Sequence, residues 1–136
     1  MKRIVAIFCL LSLVFSFSSC SYKSRTRNAE INLGESQIFS QDELQSAADV
    51  IISGFLEGEI ISYLQKLWYN EEESAGVVKN NPSYQNLDDK NKIALFGDFH
   101  AGNKHPTNSN QDLEGDVWIL VRENENSDWS VKDSGF

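Results

Sequence analysis

Acid–base or metal chemistry in this chain of 136 residues would depend on Asp98, His100 and His105. Because side chains two residues apart share one face of a β-strand, Asp98 and His100 are expected side by side. His105 falls in the polar loop that follows. An imidazole beside a carboxylate can transfer protons or bind a metal, whereas a zinc site needs three or four ligands. The alternative interpretation is that both histidines are solvent-exposed.

A second candidate metal site follows directly, where side chains with oxygen atoms alternate along the chain. They are Asn108, Asn110, Asp112 and Glu114, followed by Asp116. This spacing is typical of the start of a calcium-binding loop. However, Leu113 stands where such a loop has glycine, and Ile119 stands where it has the bidentate glutamate. An acidic surface loop without metal is therefore the competing interpretation.

The large aromatic side chains Trp68, Tyr69, Trp118 and Trp129 could line the concave face of a sheet. Together with the acid–base pair named above, they would form a pocket for a small apolar or sugar-like ligand. Packing in the core is the alternative for all four, because aromatic side chains dominate core energetics.

Composition excludes several classes of function. The sequence contains no glycine-rich phosphate loop and no nucleophile-elbow motif, so no cofactor is expected. From Asn28 onward there are seven basic and 20 acidic residues, a net charge of −13. Nucleic acid is not expected as a partner, because its phosphates require a positive protein surface.

The first 20 residues have the order of an export signal. Two basic residues precede the apolar run 4–17, and two serines then lead to Cys20. Residues 17–20 resemble the lipobox of bacterial lipoproteins, with Phe17 in place of the usual leucine or valine. The resemblance implies a signal peptide over residues 1–19 and a diacylglyceryl thioether on Cys20. The alternatives are a transmembrane helix, for which the run is short, and a cleaved signal without lipid, for which no Ala-x-Ala site is present.

A lipid on Cys20 would make the membrane a partner of the protein, on the extracytoplasmic face of the cell membrane. Residues 20–37 contain few apolar side chains and are predicted to form a flexible tether. Its basic residues, Lys23, Arg25 and Arg27, would face anionic headgroups or be solvated in a linker. Cys9 would be removed with the signal, so neither cysteine would belong to the folded domain.

Residues 38–136 are predicted to form one domain that begins with a helix. Ser40 and Glu43 match a capping box, and Phe39 and Leu44 occupy the positions of a hydrophobic staple. Apolar residues follow at helical spacing, up to the glycine at position 58.

Four strands are predicted after this helix, over residues 59–69, 92–101, 117–122 and 129–133. Slipped alternation between Tyr63 and Leu67 indicates a bulge, and a short helix is predicted over 70–81. The last two strands should form an antiparallel hairpin. The predicted fold class is α+β: one long N-terminal helix packed on an antiparallel sheet of about four strands, in a monomer.

The segments Gln65–Glu72, Trp118–Arg122 and Trp129–Phe136 resemble a family of small uncharacterised lipoproteins from Gram-positive anaerobes. Asn70 stands where that family tends to have aspartate, and Phe136 where it has tyrosine. The resemblance covers about residues 38–136. It implies a cystatin-like or NTF2-like α+β domain and carries no activity with it. The Gln-x-Val-x-Gly hairpin of inhibitory cystatins is absent from the sequence.

Two functions are compatible with these patterns. The first is a non-enzymatic, lipid-anchored module that binds a protein or another component of the cell envelope. The second is a small-ligand-binding or enzymatic domain with a pocket around Asp98, His100 and the tryptophans. A closed pocket beside Asp98 or His100 would favour the second function, whereas a filled core with an exposed apolar patch would favour the first.

Overall fold

The computed structural model describes residues 28–57, 62–103, 105 and 107–135. The predicted signal peptide and Cys20 lie outside the described residues. The strands and helices are β1 Glu30–Asn32, α1 Gln41–Glu57, β2 Ser62–Trp68, α2 Glu71–Asn80, β3 Lys92–Ala101, β4 Gln111–Val121 and β5 Ser130–Ser134. Two short 3₁₀ turns, Pro82–Tyr84 and Asp89–Asn91, connect α2 to β3. Within the described ranges, neither helix has the length and hydropathy needed to cross a bilayer.

Helix α1 begins as the sequence predicts. The Ser40 hydroxyl accepts the Glu43 N–H at 3.2 Å, and the Glu43 carboxylate accepts the Ser40 N–H at 2.8 Å. This capping box satisfies backbone donors that the start of a helix leaves without partners. The fully or nearly buried residues of α1 share one face, and they are Leu44, Ala47, Ala48 and Ile51. The predicted capping box and apolar face are therefore present in α1, but α1 is not the first element of the domain because β1 precedes it.

The sheet has five strands in the order β1-β2-β3-β4-β5. β1 is parallel to β2, and every other neighbouring pair is antiparallel, including the predicted hairpin of β4 and β5. The α+β class is confirmed, but the finer prediction of four antiparallel strands behind an N-terminal helix is wrong. β1 precedes α1 and adds a fifth, parallel strand, and a second helix covers the sheet. The sequence did not reveal β1 because its three residues are all exposed and show no alternation.

The beginning of the domain also differs from the prediction, which assigned residues up to Gln37 to a flexible tether. The carbonyl of Asn32 accepts the N–H of Tyr69 at 3.1 Å. Leu33 is buried in the main core. Residues 28–37 are therefore part of the folded domain, because they pair with β2 and cover its end.

Both faces of the sheet are covered. Helix α1 packs on one face and encloses the main core. Helix α2 packs on the other face, where a second apolar cluster consists of Val78, Ala94, Phe96, Val117 and Ile119. Strand β3, which is mostly buried on both faces, lies in the middle of this arrangement. Strands between two helical layers are expected to be apolar on both sides, as β3 and the end of β4 are.

Two bulges interrupt the ladders on either side of β3. The first lies between Leu64 and Lys66 of β2, where the sequence predicted it. The second lies in β4, which begins at Gln111 rather than at the predicted Val117. The bulge explains the difference, because the first half of β4 is polar and its alternation is out of phase with the second half.

Candidate ligand-binding site

A cleft opens between the second half of α1, the end of β3, the first half of β4 and β5. Its volume is about 830 Å³, within the range of small-molecule sites. Val50, Ile51 and Phe55 of α1 form one apolar wall, and Val131 of β5 lies on the other side. The polar side chains of the described lining are Ser62, His105, Thr107, Asn108, Asp116 and Ser134.

Three aromatic rings, those of Phe55, Phe99 and Trp118, pack against one another at the base of the cleft. Their centroids lie 5.5 Å apart for Phe55 and Phe99, 5.9 Å for Phe55 and Trp118, and 6.0 Å for Phe99 and Trp118. The first two pairs are edge-to-face, which is a favoured aromatic geometry. Phe99 and Trp118 are 7% and 8% exposed, so their rings are held in place by packing.

Gly97 on β3 provides the space that the Trp118 ring occupies. A Cβ atom at this position would lie 2.8 Å from the indole ring and 2.6 Å from the carbonyl oxygen of Lys66. Both distances are shorter than van der Waals contact, and the second involves backbone. The absence of a side chain at Gly97 therefore sets the depth of the aromatic base.

The β4 bulge brings Asp116 to the same side as the aromatic base. Two β4 residues oppose the single residue Asp98, and Gly115 adopts a φ of 68°. Because the alternation shifts there, Leu113 and Trp118 both face α1 and both line the cleft. The Asp98 carboxylate accepts the N–H of Gly115 at 2.8 Å. Asp98 thus stabilises the bulge rather than supplying a reactive group to the cleft.

His105 belongs to the rim of the cleft. Its Nδ1 accepts the backbone N–H of Asn108 at 3.2 Å, and its ring lies 6.3 Å from that of Phe99. Because Nδ1 is an acceptor in this bond, a neutral His105 carries its proton on Nε2. The imidazole therefore presents a hydrogen-bond donor rather than a general base in this state.

His100 lies on the other face of the sheet. Its Nδ1 is 2.8 Å from Oδ1 of Asp112, and the Gln65 amide also donates to that oxygen at 3.2 Å. The hydrogen bond with His100, more than any other cause, lowers the pKa of Asp112. The ring of Tyr63 lies 6.4 Å from the His100 ring. The predicted trio Asp98, His100 and His105 is therefore not assembled into one site.

The oxygen-bearing residues that suggested calcium are not folded around a common centre. Asp112 and Glu114 belong to the extended strand β4, and Asn108 and Asn110 belong to the turn before it. The Asp112 carboxylate is instead engaged by the His100 imidazole and the Gln65 amide. In the described part of the chain, no group of three or more acidic, histidine or cysteine side chains could hold a metal ion.

The predicted aromatic set divides among three places. Trp118 lines the cleft, whereas Tyr69 and Trp129 are buried near the start of α1 and contact Phe39. Trp68 lies on the α2 side of the sheet, with its ring 6.1 Å from that of Phe96. Core packing, the alternative interpretation, therefore describes Tyr69 and Trp129.

Sequence reasoning did not single out Phe55 and Phe99 as site residues. Phe55 fitted the apolar spacing of the predicted helix, and Phe99 fitted the alternation of the predicted strand. The sequence feature that could have identified them was the position of Phe55 near the end of the predicted helix and of Phe99 near the end of the predicted strand. Their contact depends on how α1 crosses the sheet, which residue spacing does not specify.

Comparison with family models, with curated proteins and with solved structures found no match for this chain.

Proposed function

We propose that this protein is a non-enzymatic binding module that takes a small molecule into the cleft, held at the extracytoplasmic face of the cell membrane by lipid on Cys20. One observation carries the binding part of the proposal: an opening of about 830 Å³ has three packed aromatic rings at its base and hydroxyl, amide and carboxylate groups in its lining. Ligand sites typically combine apolar walls with a few placed polar groups.

Packing of the cleft supports binding without large rearrangement. The rings of Phe99 and Trp118 are already fixed by their neighbours, so little side-chain entropy would be lost on binding. Val131, by contrast, is 41% exposed although it lines the cleft. A ligand that covers such surface would gain about 25 cal/mol for each Å² of apolar area removed from water.

The cleft differs from the pocket that the sequence suggested. Of the predicted ligand-binding residues, it contains Trp118 but neither Asp98 nor His100. The carboxylate of Asp98 accepts a backbone N–H of the β4 bulge, and His100 pairs with Asp112. The arguments for catalysis that these two residues carried do not transfer to the cleft, and binding is the function that remains supported.

Anchoring through Cys20 would keep the folded domain close to the membrane. An extended chain covers at most about 3.6 Å per residue, so the segment from Cys20 to Asn28 would reach no more than about 30 Å. Lys23, Arg25 and Arg27 lie in this segment and would add attraction to anionic headgroups. Molecules at or near the membrane surface would therefore have access to the site.

The relationship to small lipoproteins of Gram-positive anaerobes, and a cystatin-like or NTF2-like form of the sheet, are also parts of this proposal. The form of the sheet is supported by the packing of α1 on the antiparallel strands β2 to β5, with β1 before α1 and α2 between β2 and β3 as additions to that pattern. A side chain of an envelope protein is the alternative occupant of the cleft.

The three tryptophans provide a test of the proposed site. Trp118 lies in the cleft, Trp129 in the closed core and Trp68 on the opposite face. We expect a library of small water-soluble compounds to contain members that shift the indole N–H resonance of Trp118 and leave those of Trp68 and Trp129 in place. Absence of any such compound, or shifts that follow Trp68, would contradict the proposed site.

Anchoring is tested separately by mass spectrometry and fractionation. We expect the protein from membranes to begin at Cys20 and to carry the mass of its acyl chains, and Cys20→Ala to leave the membrane fraction or remain uncleaved. A mature chain that starts elsewhere and carries no lipid would contradict the anchor without affecting the cleft.

A further inference from the structure

We propose that His105 selects the ligand of the cleft, which is an apolar molecule that carries a carbonyl oxygen. This oxygen accepts a hydrogen bond from the Nε2–H group of the imidazole, and the apolar part packs against the aromatic base. The inference rests on the proposed binding function and specifies the chemistry of its ligand. It follows from the tautomer of His105, from the loop that holds the imidazole and from its position beside Phe99.

The tautomer of His105 follows from a hydrogen bond within its own loop. The backbone N–H of Asn108 donates to Nδ1 of His105 at 3.2 Å. Because a backbone N–H is only a donor, Nδ1 carries no proton, and the proton of the neutral imidazole is on Nε2. The nitrogen that the imidazole can offer to a ligand is therefore a hydrogen-bond donor.

The loop between β3 and β4 holds this imidazole with further hydrogen bonds. The backbone N–H groups of His105 and Asn110 donate to the carbonyl of Gly102 at 3.0 and 3.2 Å. The Ser109 hydroxyl donates to the carbonyl of Asn103 at 2.7 Å. Because these bonds already order the loop, little conformational entropy would be lost when a ligand accepts the hydrogen bond from His105.

His105 lies where the aromatic base of the cleft meets its polar rim. The centroid of its ring is 6.3 Å from that of Phe99, and both residues line the cleft together with Trp118. A molecule whose apolar part covers the Phe99 ring would thus bring a neighbouring substituent to the imidazole. A carbonyl oxygen suits this position, because it accepts the N–H and brings no donor of its own that needs a partner.

Acetophenone and α-methylstyrene test this inference, because they have nearly the same shape and differ in the group that would meet His105. Acetophenone has a carbonyl oxygen, and α-methylstyrene has a methylene group in its place. Each probe is titrated into the lipidated protein in phosphatidylcholine nanodiscs, with empty nanodiscs as the reference, and binding is followed at the Trp118 indole. Partition of a probe into the lipid is the same for every variant, so the affinity of each probe is compared between variants.

His105→Phe keeps a ring beside Phe99 and removes the donor. It is expected to lower the affinity for acetophenone about fivefold and to leave that for α-methylstyrene within about twofold. His105→Gln, whose amide retains an N–H donor, should restore most of the lost affinity. Ser109→Ala is the matched control, because it removes one hydrogen bond of the loop and retains the imidazole. It should change neither affinity by more than about twofold. Equal losses in Ser109→Ala and His105→Phe would show that the shape of the loop, rather than the N–H donor, selects acetophenone.

The tautomer is tested without any ligand. Nitrogen-15 NMR at about pH 8, where an ordinary imidazole is neutral, distinguishes a ring nitrogen that carries a proton from one that does not. His105→Gln separates the signals of His105 from those of His100. We expect the proton of His105 on Nε2. A proton on Nδ1 would overturn the inference and leave the cleft as a binding site.

The outcomes of the titrations separate the inference from the proposed function. If acetophenone binds the wild type and His105→Phe equally well, the cleft is a binding site and the inference about His105 is wrong. If neither probe shifts Trp118 while compounds of the library do, those compounds replace the probes, and equal affinity for the two proteins again contradicts the inference. If no compound shifts Trp118, the proposed binding function fails together with the inference.

Discussion

Similar aromatic clusters lie at the two ends of the layer between α1 and the sheet, but one is covered and the other borders the cleft. Near the start of α1, Phe39, Tyr69 and Trp129 pack edge to face, with centroids 5.9–6.2 Å apart for the pairs with Phe39. Near its end, Phe55 and Trp118 pack in the same geometry with their centroids 5.9 Å apart. The first cluster is covered and the second borders a cleft. Aromatic content alone therefore does not indicate a binding site. The groups that surround an aromatic cluster determine whether it is covered or borders a cleft.

Arg122 covers the closed end. Its side chain is 3% exposed, and its guanidinium donates to Glu43 of α1 at 2.6 Å and to the carbonyl of Lys90 at 2.9 and 3.1 Å. It also lies 4.3 Å from the centre of the Trp129 ring. One side chain thus joins the start of α1, the turn before β3 and the β4–β5 hairpin. Among the described residues that line the cleft, no arginine or lysine joins α1 to the sheet in this way.

The largest expected effect is a loss of stability when Arg122, which covers the closed end, is replaced. Arg122→Met should reduce the free energy of unfolding by about 3 kcal/mol, because it leaves Glu43 and the Lys90 carbonyl without their buried donor. Denaturant unfolding measures the loss. Lys90→Met, which removes an exposed ion pair with Glu125 (side chains 53% and 58% exposed), should cost less than about 1 kcal/mol. Equal losses in the two variants would mean that Arg122 does not close this end.

A second prediction concerns the base of the cleft. Gly97→Ala should destabilise the fold by about 1–3 kcal/mol and displace Trp118, because its Cβ would overlap the indole and a backbone carbonyl. Gly76→Ala in α2 is the matched control: a Cβ there meets nothing within 4 Å, so it should stabilise the helix by about 0.5–1 kcal/mol. Thermal unfolding and the Trp118 indole resonance report both effects. A neutral Gly97→Ala would show that the aromatic base is not tightly packed.

A third prediction concerns the bulge that places Asp116 in the cleft. Asp98→Ala removes the acceptor of the Gly115 N–H and should cost about 1 kcal/mol. It should also speed hydrogen exchange at Gly115 and weaken binding at Trp118. Asp98→Asn retains an acceptor oxygen and should restore most of each property. Loss of binding in the asparagine variant would instead indicate that the charge of Asp98 matters.

Local sequence patterns predicted the elements well. The capping box at Ser40, the strand Lys92–Ala101 and the helix beginning near Glu71 are short-range features, and the structure contains them. Strand β1 was missed because its contribution is backbone pairing with β2, which leaves no mark on its exposed side chains. The helical layer on the second face of the sheet was also missed, because the sequence of the short helix α2 does not indicate which face it covers.

The site was less predictable because it depends on contacts between distant segments. Trp118 was identified, but its partners Phe55 and Phe99 come from α1 and β3 and meet only in the folded chain. The expected partnership of Asp98 with His100 failed for a different reason. The Asp98 carboxylate accepts the N–H of Gly115, and the His100 imidazole pairs with Asp112.

The smallest expected effect is a pH dependence that belongs to the closed end. The hydrogen bond from Arg122, followed by that from the Ser40 N–H, holds the pKa of Glu43 below its usual 4.5. A carboxyl whose pKa is lower in the folded state stabilises the fold above its unfolded pKa, and this contribution is lost as pH falls through the lowered value. Denaturant unfolding from about pH 7 to about pH 2 should therefore show a steeper loss of stability below about pH 4.5 in the wild type than in Glu43→Gln. Arg122→Met should show the same flatter profile, because it removes the main cause of the shift. Parallel profiles for the wild type and Glu43→Gln would mean that the ion pair does not close this end.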